Sequence, residues 1–115
     1  MFFILYKDGL IDFYISKCLL VVEDKGKIMG YVLSQLLKWV HGIKNLVWIE
    51  HIGVHPSYRG KGIGKKLIRY AKKYYKDKAD VLYSEIHPLN KALQALFKSS
   101  NSEFAKRVLS FIKLN

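Results

Sequence analysis

The chain has 115 residues, which is enough for one domain with its own hydrophobic core. Half of the residues are apolar and a quarter are charged, which excludes a disordered chain, and no apolar stretch approaches the length of a membrane span. We therefore expect no membrane partner. The net charge is +11, and the single cysteine, Cys18, cannot form an internal disulfide, which favours a reducing, cytoplasmic location.

The first half of the chain predicts a sheet. Four apolar runs have the composition of strands: residues 2–6, 19–23, 28–37 and 46–54. The second and third flank a turn with Gly26 and predict a hairpin. Residues 10–16 are consistent with a short helix or a buried extended segment, and residues 38–44 form the next connection. The last run is continuously apolar, which indicates a central place in the sheet.

The second half of the chain predicts alternating helices and strands. A helical period of apolar residues runs from about residue 62 to 75, with Ile63, Leu67, Tyr70 or Ala71, and Tyr74 on one face. The remaining elements follow in order as a strand over residues 81–86, a helix from Asn90 to about Ser99, and a final strand over residues 108–114. The unit from residue 46 to 86 is a strand–helix–strand unit, which predicts parallel pairing in a mixed sheet.

A glycine-rich, basic loop lies directly before the first predicted helix. Its glycines are Gly60, Gly62 and Gly64, and its cations are Arg59, Lys61 and Lys65. Glycine permits positive φ and close approach of a ligand to the backbone. The unpaired N–H groups at a helix N-terminus, together with the helix dipole, attract anions. The loop therefore predicts a phosphate or pyrophosphate site.

The spacing of the loop excludes two common phosphate-binding motifs. The P-loop requires Ser or Thr after Gly-Lys, where this chain has Lys66. The dinucleotide-binding loop requires a third glycine where this chain has Lys65. What remains is R-x-x-G-x-G, from Arg59 to Gly64, after a strand that ends in Val54-His55-Pro56. This stretch resembles the motif of the GNAT superfamily of acetyl-CoA-dependent N-acetyltransferases.

The resemblance implies a fold and an activity. The fold is α/β (α+β), a GNAT-like mixed central sheet with a strand–helix–strand core, shortened at the N-terminus, in one domain over residues 1–115. The activity is transfer of an acetyl group from acetyl-CoA to an amine by direct attack in a ternary complex. The residues that match the pyrophosphate-binding loop are Arg59, Gly60, Lys61, Gly62, Ile63, Gly64 and Lys65, and those that match the edge along which pantetheine lies are Ile52, Gly53 and Val54. For Gly53, close ligand approach and a simple bulge both remain open.

A second stretch resembles the family less closely. Asn90 takes the position of an Asn that contacts the cofactor arm, and a helix N-cap is an equally good and compatible role for it. Phe97 stands where the family often has a Tyr that protonates the departing CoA thiolate. The resemblance thus places both residues at the cofactor and puts the general acid in doubt.

Glu50 is the candidate general base. GNAT members often place a Glu or His on this strand face, acting through water, and a two-residue period puts Glu50 there with Trp48, Ile52 and Val54. A surface ion pair is the alternative role for Glu50. His51 faces the other way in a regular strand, and it is the second candidate because a β-bulge would reverse its direction. The four histidines show no metal-binding pattern, so we predict no metal.

The acceptor and other partners are only broadly indicated. The acceptor is an amine, on a protein N-terminus, a lysine or a small molecule. By the resemblance, the residues before the first family strand are few, so either the acceptor site is open and takes a large substrate, or a second subunit in a homodimer completes it. Two alternatives stay open: a non-catalytic acyl-CoA-binding module, suggested by Phe97, and a basic nucleic-acid-binding domain, suggested by a net +8 over residues 59–78. No nucleic-acid motif is present, so we do not expect nucleic acid as a partner.

Overall fold

The computed structural model describes residues 2–8, 16–106 and 108–114, which form a five-stranded sheet and two helices. The elements are β1 (Phe2–Asp8), β2 (Ser16–Asp24), β3 (Lys27–Val40), β4 (Ile43–Val54), α1 (Ile63–Tyr75), β5 (Val81–Tyr83) and α2 (Lys91–Ser99). The strands lie in chain order across the sheet; β1 to β4 are antiparallel, and β5 is parallel to β4. The predicted mixed sheet with a parallel strand–helix–strand unit is confirmed. Neither described helix is long and apolar enough to span a membrane.

Two tight turns join the central antiparallel strands. Lys25 and Gly26, with φ of 51° and 78°, join β2 to β3, and His41 and Gly42, with φ of 52° and 74°, join β3 to β4. Positive φ at both central residues is the requirement of a type I′ turn, whose twist matches that of the paired strands. Pairing therefore continues to the turn, and the connection predicted over residues 38–44 shrinks to two residues.

The strand predicted at residues 2–6 is present as β1. It pairs along its whole length with β2, from Phe2 opposite Glu23 to Asp8 opposite Lys17. The helix or extended segment predicted at residues 10–16 lies outside the described residues, except for Ser16, which begins β2.

Helix α1 packs one apolar face on the sheet. Its buried residues are Ile63, Leu67, Ile68, Ala71 and Tyr75. They form the core with strand residues that include Leu20, Val22, Val32, Val47 and Ile49. Of the predicted alternatives Tyr70 and Ala71, Ala71 is the buried one, and Tyr75 is buried in place of Tyr74, which is only partly covered. Leu67 is fully buried, so its truncation to alanine costs about 2–5 kcal/mol.

A buried hydrogen-bonded chain ties the end of α1 to the sheet. Ser34 Oγ donates to the Cys18 carbonyl at 3.3 Å, and the Tyr75 hydroxyl lies 2.7 Å from the same Ser34 oxygen. Burial raises the pKa of Tyr75 well above its usual value. Cys18 is a buried residue of the core in this region.

Of the strands predicted in the second half of the chain, the one at residues 81–86 is present but shorter, and the one at residues 108–114 is wrong. β5 ends at Tyr83, three residues before the predicted end, and residues 108–114 belong to no strand or helix and are exposed. A strand needs a neighbour that satisfies its backbone N–H and C=O groups. Within the described residues the sheet stops at β5, so neither segment has such a neighbour on its free side.

Candidate active site

A short hydrogen-bonded turn fixes where the glycine-rich loop starts. The His55 N–H donates to the Met29 carbonyl on β3 at 2.8 Å, which holds the end of β4 against the sheet. A single 3-10 turn, Pro56–Tyr58, follows, and His55 Nδ1 accepts a hydrogen bond from the Ser57 N–H at 3.1 Å. His55 therefore caps the turn, which is a structural role.

Two of the predicted loop cations contact their neighbours and keep their charge exposed. Arg59 Nε donates to the Val54 carbonyl at 3.3 Å, and Lys61 Nζ lies 5.5 Å from the centre of the Tyr58 ring, within cation–π range. Neither cation is ion-paired with an acid in the part of the chain that the structure describes. The loop thus carries positive charge on a backbone that is tied to the end of β4.

The three glycines of the loop have different roles. Gly60 and Gly62 have φ of 75° and 78°, and the space where a Cβ would stand is open on both. Gly64 lies inside α1, and a Cβ there would be 3.1 Å from Leu96 Cδ2 on α2. Gly64 therefore permits close packing of the two helices, whereas the prediction gave all three glycines a role in ligand approach.

The N-terminus of α1 has the features of an anion site. Its N-cap is Gly62, which has no side chain to cap the first N–H groups, and its first turn contains no acidic residue. Ile63 is buried and anchors the start of the helix in the core, while Lys65 is exposed in the first turn. The unpaired N–H groups, the helix dipole and the loop cations would all attract an anion to this end of the helix. This donor set fits the pyrophosphate of coenzyme A.

β4 loses its parallel neighbour halfway along its length. β5 pairs only with Leu46, Val47 and Trp48 of β4, although β4 continues to Val54. On this side the described residues place no strand beside Ile52, Gly53 and Val54. The β4 edge that faces away from β3 is therefore unpaired here, except that the Val54 carbonyl accepts from Arg59 Nε, and this edge leads directly into the loop and the α1 N-terminus.

A β-bulge at Glu50 changes which side chains of β4 share a face. Ile49 pairs with Ser34 and His51 pairs with Leu33, so Glu50 is the extra residue between the two pairs. The regular alternation predicted for Trp48, Glu50, Ile52 and Val54 is therefore wrong. By register, Trp48 and His51 share one face, whereas Ile52 and Val54 lie on the other and pack against the core under α1.

The bulge also sets the environment of the candidate base. Glu50 is partly buried, and its Oε2 atom is shielded from solvent. A bulge bends a strand and redirects the side chain of the extra residue, and such bulges are frequent beside active sites. Glu50 is thus a carboxylate at the point where β4 leaves β5.

His51 is held by a residue that sequence reasoning missed. Its Nδ1 lies 2.9 Å from the Tyr31 hydroxyl on β3, and the two rings are stacked. The Tyr31 ring also covers Gly53, where an added Cβ would come within 2.5 Å of Tyr31 Cε1. A Cβ at Gly53 would therefore displace the Tyr31 ring, and the bulge lies at Glu50 and not at Gly53. Only the Tyr31–Gly53 pairing between β3 and β4 would have signalled this contact.

The α2 candidates occupy different environments. Asn90 is the N-cap of α2, and its Oδ1 accepts a hydrogen bond from the Leu93 N–H at 3.0 Å. Phe97 is a core residue with 7% of its surface exposed. Glu85, which follows β5, accepts a hydrogen bond from the Tyr83 hydroxyl at 2.9 Å. Cofactor contacts of Asn90 and Phe97 stay predictions.

A protein-family model described as the acetyltransferase (GNAT) family matches residues 3–101. The match covers most of the chain, which therefore belongs to the GNAT acetyltransferase family. The predicted enzyme class, an acetyl-CoA-dependent N-acetyltransferase, and the predicted cofactor, acetyl-CoA, are confirmed at the level of the family. A search of curated protein sequences found no significant match.

Solved structures share the fold. The aminoglycoside N-acetyltransferase AAC(6')-Iy in complex with CoA has a TM-score of 0.74 and 23% identity, over 84% of this chain and 75% of that one. An aminoglycoside acetyltransferase from an uncultured soil metagenomic sample has a TM-score of 0.74 and 22% identity, over 86% and 66%. A ribosomal-protein-alanine N-acetyltransferase from Brucella melitensis biovar Abortus 2308 has a TM-score of 0.66 and 23% identity, over 83% of this chain and 71% of that one. At these identities the similarity shows the fold alone, and the chain spans 66–75% of their lengths.

Proposed function

We propose that the protein transfers the acetyl group of acetyl-CoA to an amine by direct attack within a ternary complex. The main observation is the path of β4. This strand is no longer paired with β5 after Trp48, and it leads to the N-terminus of α1, which has no side-chain cap. Such a course offers an open strand edge for the pantetheine arm and an anion site for the pyrophosphate at its end. We propose residues 1–115 as one domain with this function.

Both backbone groups and side chains would bind the cofactor. Backbone N–H groups from Gly60 to Gly64 and the charges of Arg59, Lys61 and Lys65 would hold the pyrophosphate. Backbone groups of β4 from Ile52 to Val54 would hold the pantetheine arm, with Asn90 near its other side. Acetyl-CoA, when bound, supplies an activated acetyl thioester.

Glu50 is proposed as the general base. An acceptor amine must be neutral to attack, and a lysine amine with a pKa of about 10.4, or an α-amine of about 7.7–8.0, carries a proton for much of the time at pH 7. The Glu50 carboxylate would take this proton, directly or through one water, and the nitrogen lone pair would then form the new amide bond. His51, held by the Tyr31 hydroxyl on the adjacent face, is the second candidate.

The proposal does not require a protonating side chain at residue 97. Phe97 has no proton to give, but a thiol with a pKa of about 8.5, the value of cysteine, leaves tolerably as a thiolate near neutral pH. The absence of a tyrosine at this position would slow the release of CoA without preventing it.

The acceptor is proposed as an amine on a small polar molecule or a protein. Two of the similar structures are aminoglycoside acetyltransferases by name and one is a ribosomal-protein-alanine N-acetyltransferase. We also propose a homodimer in which the second subunit helps to form the acceptor site, and a cytoplasmic location, which suits the reduced Cys18.

Two measurements on the full chain test the proposal. Calorimetric titration with acetyl-CoA should show saturable binding, and its absence at millimolar acetyl-CoA would contradict the cofactor site. Thiol release should then depend on an added amine, with an aminoglycoside, a lysine peptide and an alanine N-terminal peptide as the panel. Acetyl-CoA binding without thiol release from any of these amines would instead favour a non-catalytic acyl-CoA-binding module.

A further inference from the structure

The outward face of α1 is entirely basic, and we call it the cation face. Every exposed residue of this helix is a lysine or an arginine: Lys65, Lys66, Arg69, Lys72 and Lys73. The helix contains no acidic residue. The proposed pyrophosphate site uses only Lys65 of this set, so the cofactor does not account for the other four cations. A surface with charge of one sign attracts partners of the opposite charge.

The cation face is unfavourable for the helix that carries it. Arg69 lies three or four positions from each of the four lysines of the face: Lys65, Lys66, Lys72 and Lys73. Residues at these spacings are neighbours on a helix surface, and like charges there destabilise the helix. Within the described residues, no ion pair or hydrogen bond engages Arg69 or Lys73. The repulsion is therefore not relieved inside the chain, whereas a bound polyanion would relieve it.

The cations form a straight row along the helix. Lys65, Arg69, Lys72 and Lys76 follow one another at spacings of four, three and four residues, and Lys76, the C-cap, keeps helical backbone angles. Such positions lie on one line of a helix surface, which here extends over about 16 Å. A second helix that packs alongside presents its own side chains at the same spacings. The row therefore matches a helix with carboxylates at i, i+4, i+7 and i+11.

The side chains of the face favour carboxylates over nucleic acid. The three tyrosines of α1 are buried or partly covered, so no exposed ring of this helix is available to stack on bases. The helix also has no Asn or Gln to read base edges. Four of the five cations are lysines, which act as point charges and lack the planar fork with which arginine binds phosphate. We propose that the cation face binds an acidic helix of a partner protein.

The proposed partner site continues from the cofactor loop to the end of α1. Lys72 also contacts its own chain, because its Nζ donates to the Ser100 carbonyl at 3.3 Å. Arg69 lies at the middle of the row and is the best position for a test, since it is exposed and lies outside the proposed cofactor site. Because the contact rests on charge, salt should weaken it strongly.

Fluorescence anisotropy of the full chain with a labelled acidic peptide tests the proposal. The probe is a helical peptide of about 16 residues with Glu at i, i+4, i+7 and i+11, so that its carboxylates lie on one face. A comparison peptide has the same composition, with its Glu residues distributed around the helix. At about 50 mM salt the one-faced peptide should bind saturably and about tenfold more tightly than the comparison peptide, and about 200 mM salt should weaken it about tenfold.

Arg69→Glu should have opposite effects on binding and on stability. The substitution replaces repulsion from four lysines by attraction, so the midpoint of urea unfolding should rise. Binding of the one-faced peptide should weaken by about tenfold or more. Lys44→Glu is the matched control, because it makes the same change in net charge at an exposed lysine of β4. This control should weaken peptide binding by less than about threefold.

Acetyl-CoA and RNA distinguish the cation face from two other anion sites. Arg69→Glu should leave acetyl-CoA affinity unchanged, and an equal loss of acetyl-CoA and peptide binding would assign Arg69 to the cofactor site and overturn the proposal. A short single-stranded RNA that binds more tightly than the one-faced peptide at about 150 mM salt, and loses affinity in the Arg69 variant, would overturn it in favour of nucleic acid.

Three further outcomes would also overturn the proposal: no binding of the one-faced peptide, equal binding of the two peptides, or peptide binding that survives Arg69→Glu. None of these measurements depends on acetyl transfer, so their outcome is independent of the proposed function.

Discussion

The Tyr31 hydroxyl on β3 lies 2.9 Å from Nδ1 of His51 on β4, and the two rings stack with their centres 5.8 Å apart. The same Tyr31 ring covers Gly53, so one side chain orients His51 and shapes the strand edge that we assign to the cofactor. Glu50, the bulge residue, is adjacent to His51. The two candidate proton acceptors are thus neighbours with different surroundings, which separate substitutions can distinguish.

Glu50→Gln should lower kcat by about 10²–10⁴, because the amide cannot accept the proton of the acceptor amine. Acetyl-CoA affinity should stay the same, since the substitution leaves the loop and the β4 backbone intact. His51→Asn is the matched variant and should lower kcat by less than about tenfold. Steady-state thiol release measures kcat for both variants. A larger loss of kcat in the His51 variant would identify His51 as the general base.

Gly53→Ala should destabilise the fold by about 1–3 kcal/mol, because the new methyl group overlaps the Tyr31 ring. Tyr31→Ala removes the overlap, so the double variant should lose less stability than the sum of the single variants. Urea unfolding of the four proteins measures this coupling. Additive losses would show that the Tyr31 ring does not restrict this position.

Gly62→Ala should abolish tight acetyl-CoA binding, since the positive φ of Gly62 shapes the backbone of the anion site. Gly26 is a matched control: it has the same φ of 78° and equally open space, but it lies in the β2–β3 turn. Both substitutions place a Cβ in left-handed backbone and should cost about 1–2 kcal/mol. Calorimetry should show weakened acetyl-CoA binding for the Gly62 variant alone. Equal weakening in the Gly26 variant would contradict an anion site at the N-terminus of α1.

Stability should fall as the pH rises above about 10, because Tyr75 ionises near its ordinary pKa only in the unfolded chain. Burial raises the pKa of Tyr75 in the folded state, so the folded chain keeps a proton that the unfolded chain releases. The loss from this group approaches about 1.4 kcal/mol per pH unit. Urea unfolding between pH 8 and 11 measures it, and Tyr75→Phe should show a correspondingly weaker dependence.

Features that depend on near neighbours in the chain were predictable. The β2–β3 hairpin and α1 follow from turn residues and apolar periodicity, which act over a few residues. The distinction between Gly62 and Gly64 was not predictable, because Gly64 packs on Leu96, which belongs to another helix. The strand expected at residues 108–114 is absent for a related reason. The apolar composition of a segment indicates a tendency to form a strand, but it does not specify the strand with which it pairs.

The sequence by itself determined the basic, glycine-rich loop from Arg59 to Lys65, the helix behind it and hence the prediction of an anion site. These properties rest on charge and local backbone preference. Only the tertiary structure decided that Glu50 is a bulge residue and that His51 faces Tyr31, twenty positions away. A strand alternates its faces strictly, so a single extra residue in the β3–β4 register reassigns the side chains that follow it, and that register is set by pairing across the sheet.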